Sequence, residues 1–183
     1  MLTEVTRKTL KTTVDGIRSR LLDDIYQVAD RKFSFAAQDR SRLTLSAEVQ
    51  YEYKLVKDWC EDESRATKSF EANLHDLIKE SAYTLTNRLF ILRQLEERNL
   101  RPLKVLYGTK NSEAYKEFRD FCPQLCTGDD EGYGFLLKQV FDLIALELPG
   151  FFSHDTLLGL LPVSGPTLLW LVDQLNNNNL EGA

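Results

Sequence analysis

An all-α fold, an irregular multi-helix bundle around one long central helix over about residues 65–99, is what this sequence predicts. Apolar residues recur at spacings of three and four along most of the chain, and period-two alternation never persists beyond four or five residues. Cap and breaker residues, Ser46, Pro102, Pro123, Pro149 and Ser164 among them, punctuate the periodic stretches. With 183 residues, 43% of them hydrophobic and 28% charged, the chain has the composition of an ordinary globular protein, and a single helical domain over 1–183 is expected. Long helices fill 1–100 and shorter ones 101–183.

Leu10, Val14, Ile17, Leu21, Ile25 and Val28 form one apolar stripe, placing a first helix from about Thr3, its N-cap, to Ala29, weakened at Gly16. Residues 31–44 lack a stripe and read as a connector, with Phe33 and Phe35 tucked into the core. Val49, Tyr53, Val56 and Cys60 mark a second helix capped by Ser46, and EDES at 61–64 a surface turn. The third helix ends at Asn99, three residues before Pro102. At about 100° per residue, its Leu74, Ile78, Ala82, Leu85, Leu89 and Leu92 share an arc that faces the core. Tyr83, Asn87, Phe90, Ile91 and Gln94 gather on the opposite side, so the helix is either buried on both sides or offers a mixed face to a partner. Glu96 continues the core arc, where a carboxylate needs a partner; Arg93 at i−3 is the natural one.

Further on, a helix starts near Asn111 and is halted by Pro123, followed by the polar loop TGDDEGYG. An apolar helix then spans about Tyr133 to Leu148, before Pro149-Gly150. Two short helices close the chain, one from Ser153 and one from Ser164 with Pro166 in its first turn, ended by NNNN at 176–179.

A formal net charge of −5 opposes whole-molecule attraction to nucleic acid or anionic membrane, yet the charge is unevenly spread. Residues 1–44 carry nine Lys and Arg against six Asp and Glu; residues 129–183 carry one against eight. Three cysteines, Cys60, Cys122 and Cys126, do not make a disulfide framework and fit a reducing interior. Glu4, Arg7 and Lys8 interrupt what a signal peptide would need, and no apolar run is long enough for a membrane span, so a cytoplasmic protein without a membrane partner is expected.

The segment SAYTLTNRLFILRQLEERNL (81–100) resembles the amino-terminal helical segment of large single-chain DNA adenine methyltransferases, the kind found in type IIG restriction-modification and BREX phage-defence systems. The shared pattern is Ala82-Tyr83, then Asn87-Arg88-Leu89, then Leu92-Arg93 and Glu96. LPVSGPTLLWLVDQLNN (161–177) is similar to the helix such proteins carry before their catalytic domain, and the two patches cover 37 of the 183 residues. The resemblance implies a non-catalytic amino-terminal domain of a longer protein. It would help to place DNA or pack on the catalytic domain of the same chain, which transfers a methyl group from S-adenosylmethionine to adenine. The ending NNNNLEGA reads as an internal boundary of such a protein. No cofactor is expected in 1–183: no strand precedes GDDEGYG, which sets three acids where an anion would bind, and the Asn/Asp-Pro-Pro-Tyr/Phe motif is absent. An Asp then Glu-x-Lys nuclease arrangement is absent too.

Arg88, Arg93, Arg98, Arg101 and Lys104 place five cations within 17 residues, against Glu96 and Glu97, and are candidate phosphate contacts. The amino-terminal Arg7, Lys8, Lys11, Arg18 and Arg20 could extend that surface, and a solvated helix face explains the same charges. Cys122, Cys126 and His154 supply too few ligands for a closed zinc site, and His75, beside Asp76 on an amphipathic helix, reads as a surface residue. A free-standing adaptor that binds proteins through Tyr83, Phe90 and Ile91 and through its acidic end is the alternative from another functional class.

Overall fold

The computed structural model describes residues 4–35, 46–152 and 161–177. Among them the chain forms seven α-helices and no strand: α1 (Glu4–Phe33), α2 (Ala47–Cys60), α3 (Phe70–Glu97), α4 (Glu113–Phe121), α5 (Tyr133–Ala145), α6 (Pro149–Phe152) and α7 (Gly165–Asn177). The long helix α3 is the axis, packed against α1, α2 and α7, and α5 carries α6. Thr3, Ser153 with its expected helix, His154 and residues 178–179 of the asparagine run lie outside the described residues, as does the side chain of Leu10.

Helix α1 continues four residues past Ala29 because its core line runs on: Leu21, Ile25, Ala29 and Phe33 are all buried, one residue in four. Phe33 closes the line inside an aromatic group, 5.4 Å from Phe35 and 6.3 Å from Tyr53, with Phe35 also 6.2 Å from Phe70. Both phenylalanines of the expected connector therefore enter the core. The stripe reaches the core more weakly before Leu21: Ile17 is half-buried against the core and Val14 is 52% exposed.

Ser46 caps α2, accepting from the Val49 N–H, and Val56 and Cys60 reach the core. Burial pushes the Cys60 thiol up to about 11, with Arg65 acting in the opposite sense. Helix α3 begins at Phe70 and not near Arg65, for a local reason. Asp62 accepts from the Ser64 N–H at 2.9 Å and holds a single 3-10 turn over Glu63–Arg65; Ser69 then caps the helix proper. The buried Asn73 staples this connection from below, its Nδ2 donating to the carbonyls of Cys60 at 2.7 Å and Arg65 at 3.1 Å. At the other end Asn99 adopts φ +52, and the Leu100 N–H reaches the Leu95 carbonyl, a left-handed asparagine stop. The core arc is as expected, with Leu85 only half-buried. On the outer side Tyr83 and Phe90 are each 47% exposed and Asn87 is exposed, so α3 is not buried on both sides; it presents a mixed face.

Ser112 caps α4, one residue beyond the expected start, because Thr109–Asn111 form a 3-10 turn. Helix α5 stops at Ala145, before Leu148, as the N–H groups of Leu146 and Glu147 turn back to carbonyls three residues earlier. Pro149 then begins α6 instead of only ending α5, since a proline loses nothing at a first helical position.

Two carboxylates close the N-termini of the last helices. Asp130 accepts from the N–H of Gly132 at 3.1 Å and of Gly134 at 2.8 Å, where α5 begins. Gly165 is required beside it: a Cβ there would lie 2.8 Å from the Asp130 Cβ. Asp24 of α1 reaches across the fold to the start of α7, accepting from the Ser164 N–H at 2.7 Å, the Ser164 hydroxyl at 2.6 Å and the Thr167 hydroxyl at 3.0 Å. Arg20, one turn earlier, lies 4.2 Å from the Trp170 ring centroid. D24A is expected to cost about 2 kcal/mol, the loss of a cap with its hydroxyl bonds, and to lower Tm by about 4–8 °C in thermal unfolding followed by circular dichroism.

Candidate functional site

The residues that carry the pattern in 81–100 sit on α3 in two groups, and their azimuths separate them. Tyr83 and Asn87, with Phe90 one turn on, look outward. Arg88, Arg93 and Glu96 turn toward the carboxy-terminal half of the chain and are engaged there.

Glu96 is fully buried, and Arg93 is not its partner. Its Oε1 accepts from the backbone N–H of Val105 at 2.7 Å and of Leu106 at 2.9 Å, and its Oε2 from Tyr107 at 3.0 Å. Three successive amides curl around one carboxylate, a nest that solvates the charge without a cation. The carbonyls of the same turn are satisfied by other helices: the Tyr133 hydroxyl of α5 donates to the Val105 carbonyl at 3.0 Å, and Asn176 Nδ2 of α7 to the Leu106 carbonyl at 2.8 Å. Arg93 pairs instead with Glu97, Nη1 to Oε2 3.4 Å, one turn on and at the rim. The expected Arg93–Glu96 clamp is thus replaced by amides that lie nine to eleven residues away in sequence.

Of the five cations proposed as phosphate contacts, two are occupied. Arg88 donates from Nε to the Phe151 carbonyl at 3.0 Å and lies 6.0 Å from the Phe152 ring centroid. Burial lowers its pKa, with Asp142 acting in the opposite sense. The Arg93 side chain is 15% exposed and lies 5.7 Å from the Tyr107 ring centroid. Arg98 is the exposed C-cap of α3, Arg101 is half-buried, and Lys104 is half-buried with Nζ 5.9 Å from the same Tyr107 ring. The helix end therefore offers Arg98, Arg101 and Lys104, not five charges in a row.

Among the described residues no group of three or more His, Cys, Asp or Glu could hold a metal ion. Cys122 and Cys126 flank a 3-10 turn, the Cys126 thiol 3.8 Å from the Cys122 carbonyl, and His75 is exposed on α3. The cleft of about 380 Å³ between α1 and α7 is open and polar, and its Asp24 is already spent on capping α7. The start of α5 is filled by Asp130. No helix among them is long and apolar enough to cross a membrane. Sequence reasoning missed Asn73, Asp24, Asp130 and Tyr133; a polar residue interrupting an apolar arc, as Asn73 does beside Leu74, was the available signal.

E96A leaves two buried amides and a part-buried one without an acceptor and is expected to cost about 3 kcal/mol or more, a Tm loss of about 6–12 °C or greater. E96Q turns one acceptor into a donor facing a donor and costs about 2 kcal/mol. Burial also raises the Tyr133 pKa, Glu96 and Asp173 adding to the effect. A tyrosine whose folded pKa lies above its unfolded value stabilises fully below the unfolded pKa, about 10, and that stability is lost as pH rises beyond it. The deficit of Y133F measured by urea unfolding at pH 7, about 1 kcal/mol for the lost hydrogen bond, should therefore narrow above about pH 10.

No protein-family model matches this chain, and neither a curated protein nor a solved structure matches it.

Proposed function

We propose that this chain is the non-catalytic amino-terminal helical domain of a DNA adenine methyltransferase from a restriction-modification or phage-defence system, working in the cytoplasm. Its partners are the catalytic domain of the same protein, where S-adenosylmethionine supplies the methyl group, and, through that protein, DNA. The reading is supported by how the residues of the resemblance divide: Arg88 and Glu96 bind the carboxy-terminal half of the domain onto α3, while Tyr83 and Asn87 are left with Phe90 on an outward face. An exposed strip with two aromatic residues and an amide on the central helix has the composition of a domain-packing surface.

The reading frame beyond the codon for Ala183 is expected to encode a glycine-rich cofactor turn followed by Asn-Pro-Pro-Tyr or Asn-Pro-Pro-Phe. In that full-length product, Y83S/F90S should depress DNA adenine methylation in the host while leaving the amount of folded protein unchanged. Methylation and DNA affinity that survive deletion of residues 1–183 would falsify the proposal. The same outward face would serve a free-standing protein adaptor, and a stop codon directly after Ala183 selects that reading.

A further inference from the structure

The amino-terminal half of α1 meets the core through Ile17 and leaves its other described side chains outside the core. Its core line, Leu21, Ile25, Ala29 and Phe33, extends backwards at spacings of three and four through Arg18, Val14, Lys11 and Arg7. The same side of one helix is therefore apolar where it meets the body and cationic where it does not. Arg7, Lys11 and Arg18 are exposed, Lys8 stands beside them, and a Cβ at Gly16 would meet nothing within 4 Å. Nine other lysines and arginines of the described residues hold a carboxylate within 4.0 Å. Arg7, Lys8, Lys11 and Arg18 hold none among the described residues, although Glu4 and Asp15 lie on the same stretch of helix. Arg20, the next cation, is turned to Trp170.

We propose that this basic line is a contact for the sugar-phosphate backbone of duplex DNA. Arg7 and Lys11 are about 6 Å apart along the axis and Lys11 and Arg18 about 10 Å, close to two and three phosphate steps of about 3.4 Å. The chemistry of the line selects this occupant over others. The apolar stripe that flanks the line has Ile17 packed against the core, which leaves Val14 as its exposed member among the described side chains, less than the seam of a helical protein partner needs. Insertion at a lipid surface needs an apolar face as well, which Val14, the one exposed large apolar residue among the described side chains before Leu21, does not supply. Such a contact carries no sequence information; it sets orientation, with the acidic carboxy-terminal part of the chain repelled from the duplex. The inference rests on the charge and exposure of α1 and is independent of the resemblance carried by α3.

The test uses the full 183-residue chain and fluorescence anisotropy of a labelled, arbitrary duplex of about 20 base pairs, between about 50 and 200 mM salt. The chain should bind with a slope of log Kobs against log salt of about −3, as three neutralised phosphates require. R7Q/K11Q/R18Q, at exposed positions and with an unchanged circular dichroism spectrum, should weaken binding about tenfold or more at the lowest salt and remove most of that slope. R98Q/R101Q/K104Q, with the same change in net charge at the end of α3, should weaken it less than about twofold. The proposal is overturned if the parent chain does not bind, if the α1 variant binds like the parent, or if the α3-end variant loses as much. Binding to phosphatidylglycerol vesicles but not to duplex would overturn it as well. Loss of duplex binding in the α1 variant together with unaltered methylation on deletion of 1–183 would separate this contact from the methyltransferase reading.

Discussion

A carboxylate that is wholly removed from water has to be given donors, and the donors given to Glu96 are the amides of Val105, Leu106 and Tyr107. Most of the architecture hangs on that arrangement. The turn they belong to has no regular structure of its own, and its backbone groups are buried between helices. Glu96 takes its N–H groups, Tyr133 takes the Val105 carbonyl and Asn176 the Leu106 carbonyl. Helices α3, α5 and α7 thereby meet at one irregular turn, and each supplies a group the others cannot. Removing any of the three leaves a buried polar atom unsatisfied, which costs more than the bond it made was worth.

The same device recurs at two helix starts. Asp130 closes the N-terminus of α5 from within its own loop, and Asp24 closes that of α7 from α1, 140 residues away in sequence. Amide donors at helix N-termini are the usual seat for a phosphate or a carboxylate ligand. At α5 and α7 they are filled by the protein's own carboxylates. Arg88 and Arg93 are in turn drawn into the fold. Among the described residues, cations without a carboxylate within 4.0 Å stand at the end of α3 and along the amino-terminal half of α1, besides scattered ones such as Lys54 and Lys116.

Helix α3 carries both duties. Its inner and flanking residues gather the other helices, and its outer line of Tyr83, Asn87 and Phe90 stays free of the body. One 28-residue helix can do both because its buried residues gather on one side and Tyr83, Asn87 and Phe90 on the other.

Periodicity alone determined the all-α class, the order of the helices and the core arcs of α2 and α3, since burial of an apolar stripe at spacings of three and four is the largest local signal a sequence contains. Ser46 and Ser164 were legible as caps because a serine before an apolar run acts through its own backbone. The start of α3 at Phe70 was obscured by Asp62, whose side chain builds a competing turn. Tertiary structure decided everything that depends on partners far along the chain. It brought the turn at 105–107 to Glu96 in place of Arg93, Asp24 to α7, and the Phe151 carbonyl to Arg88. It also split the first stripe at Ile17, before which Val14 stands exposed. Spacing fixes which side chains share a face; which buried donor meets which acceptor depends on how separate helices pack, and no local pattern records that.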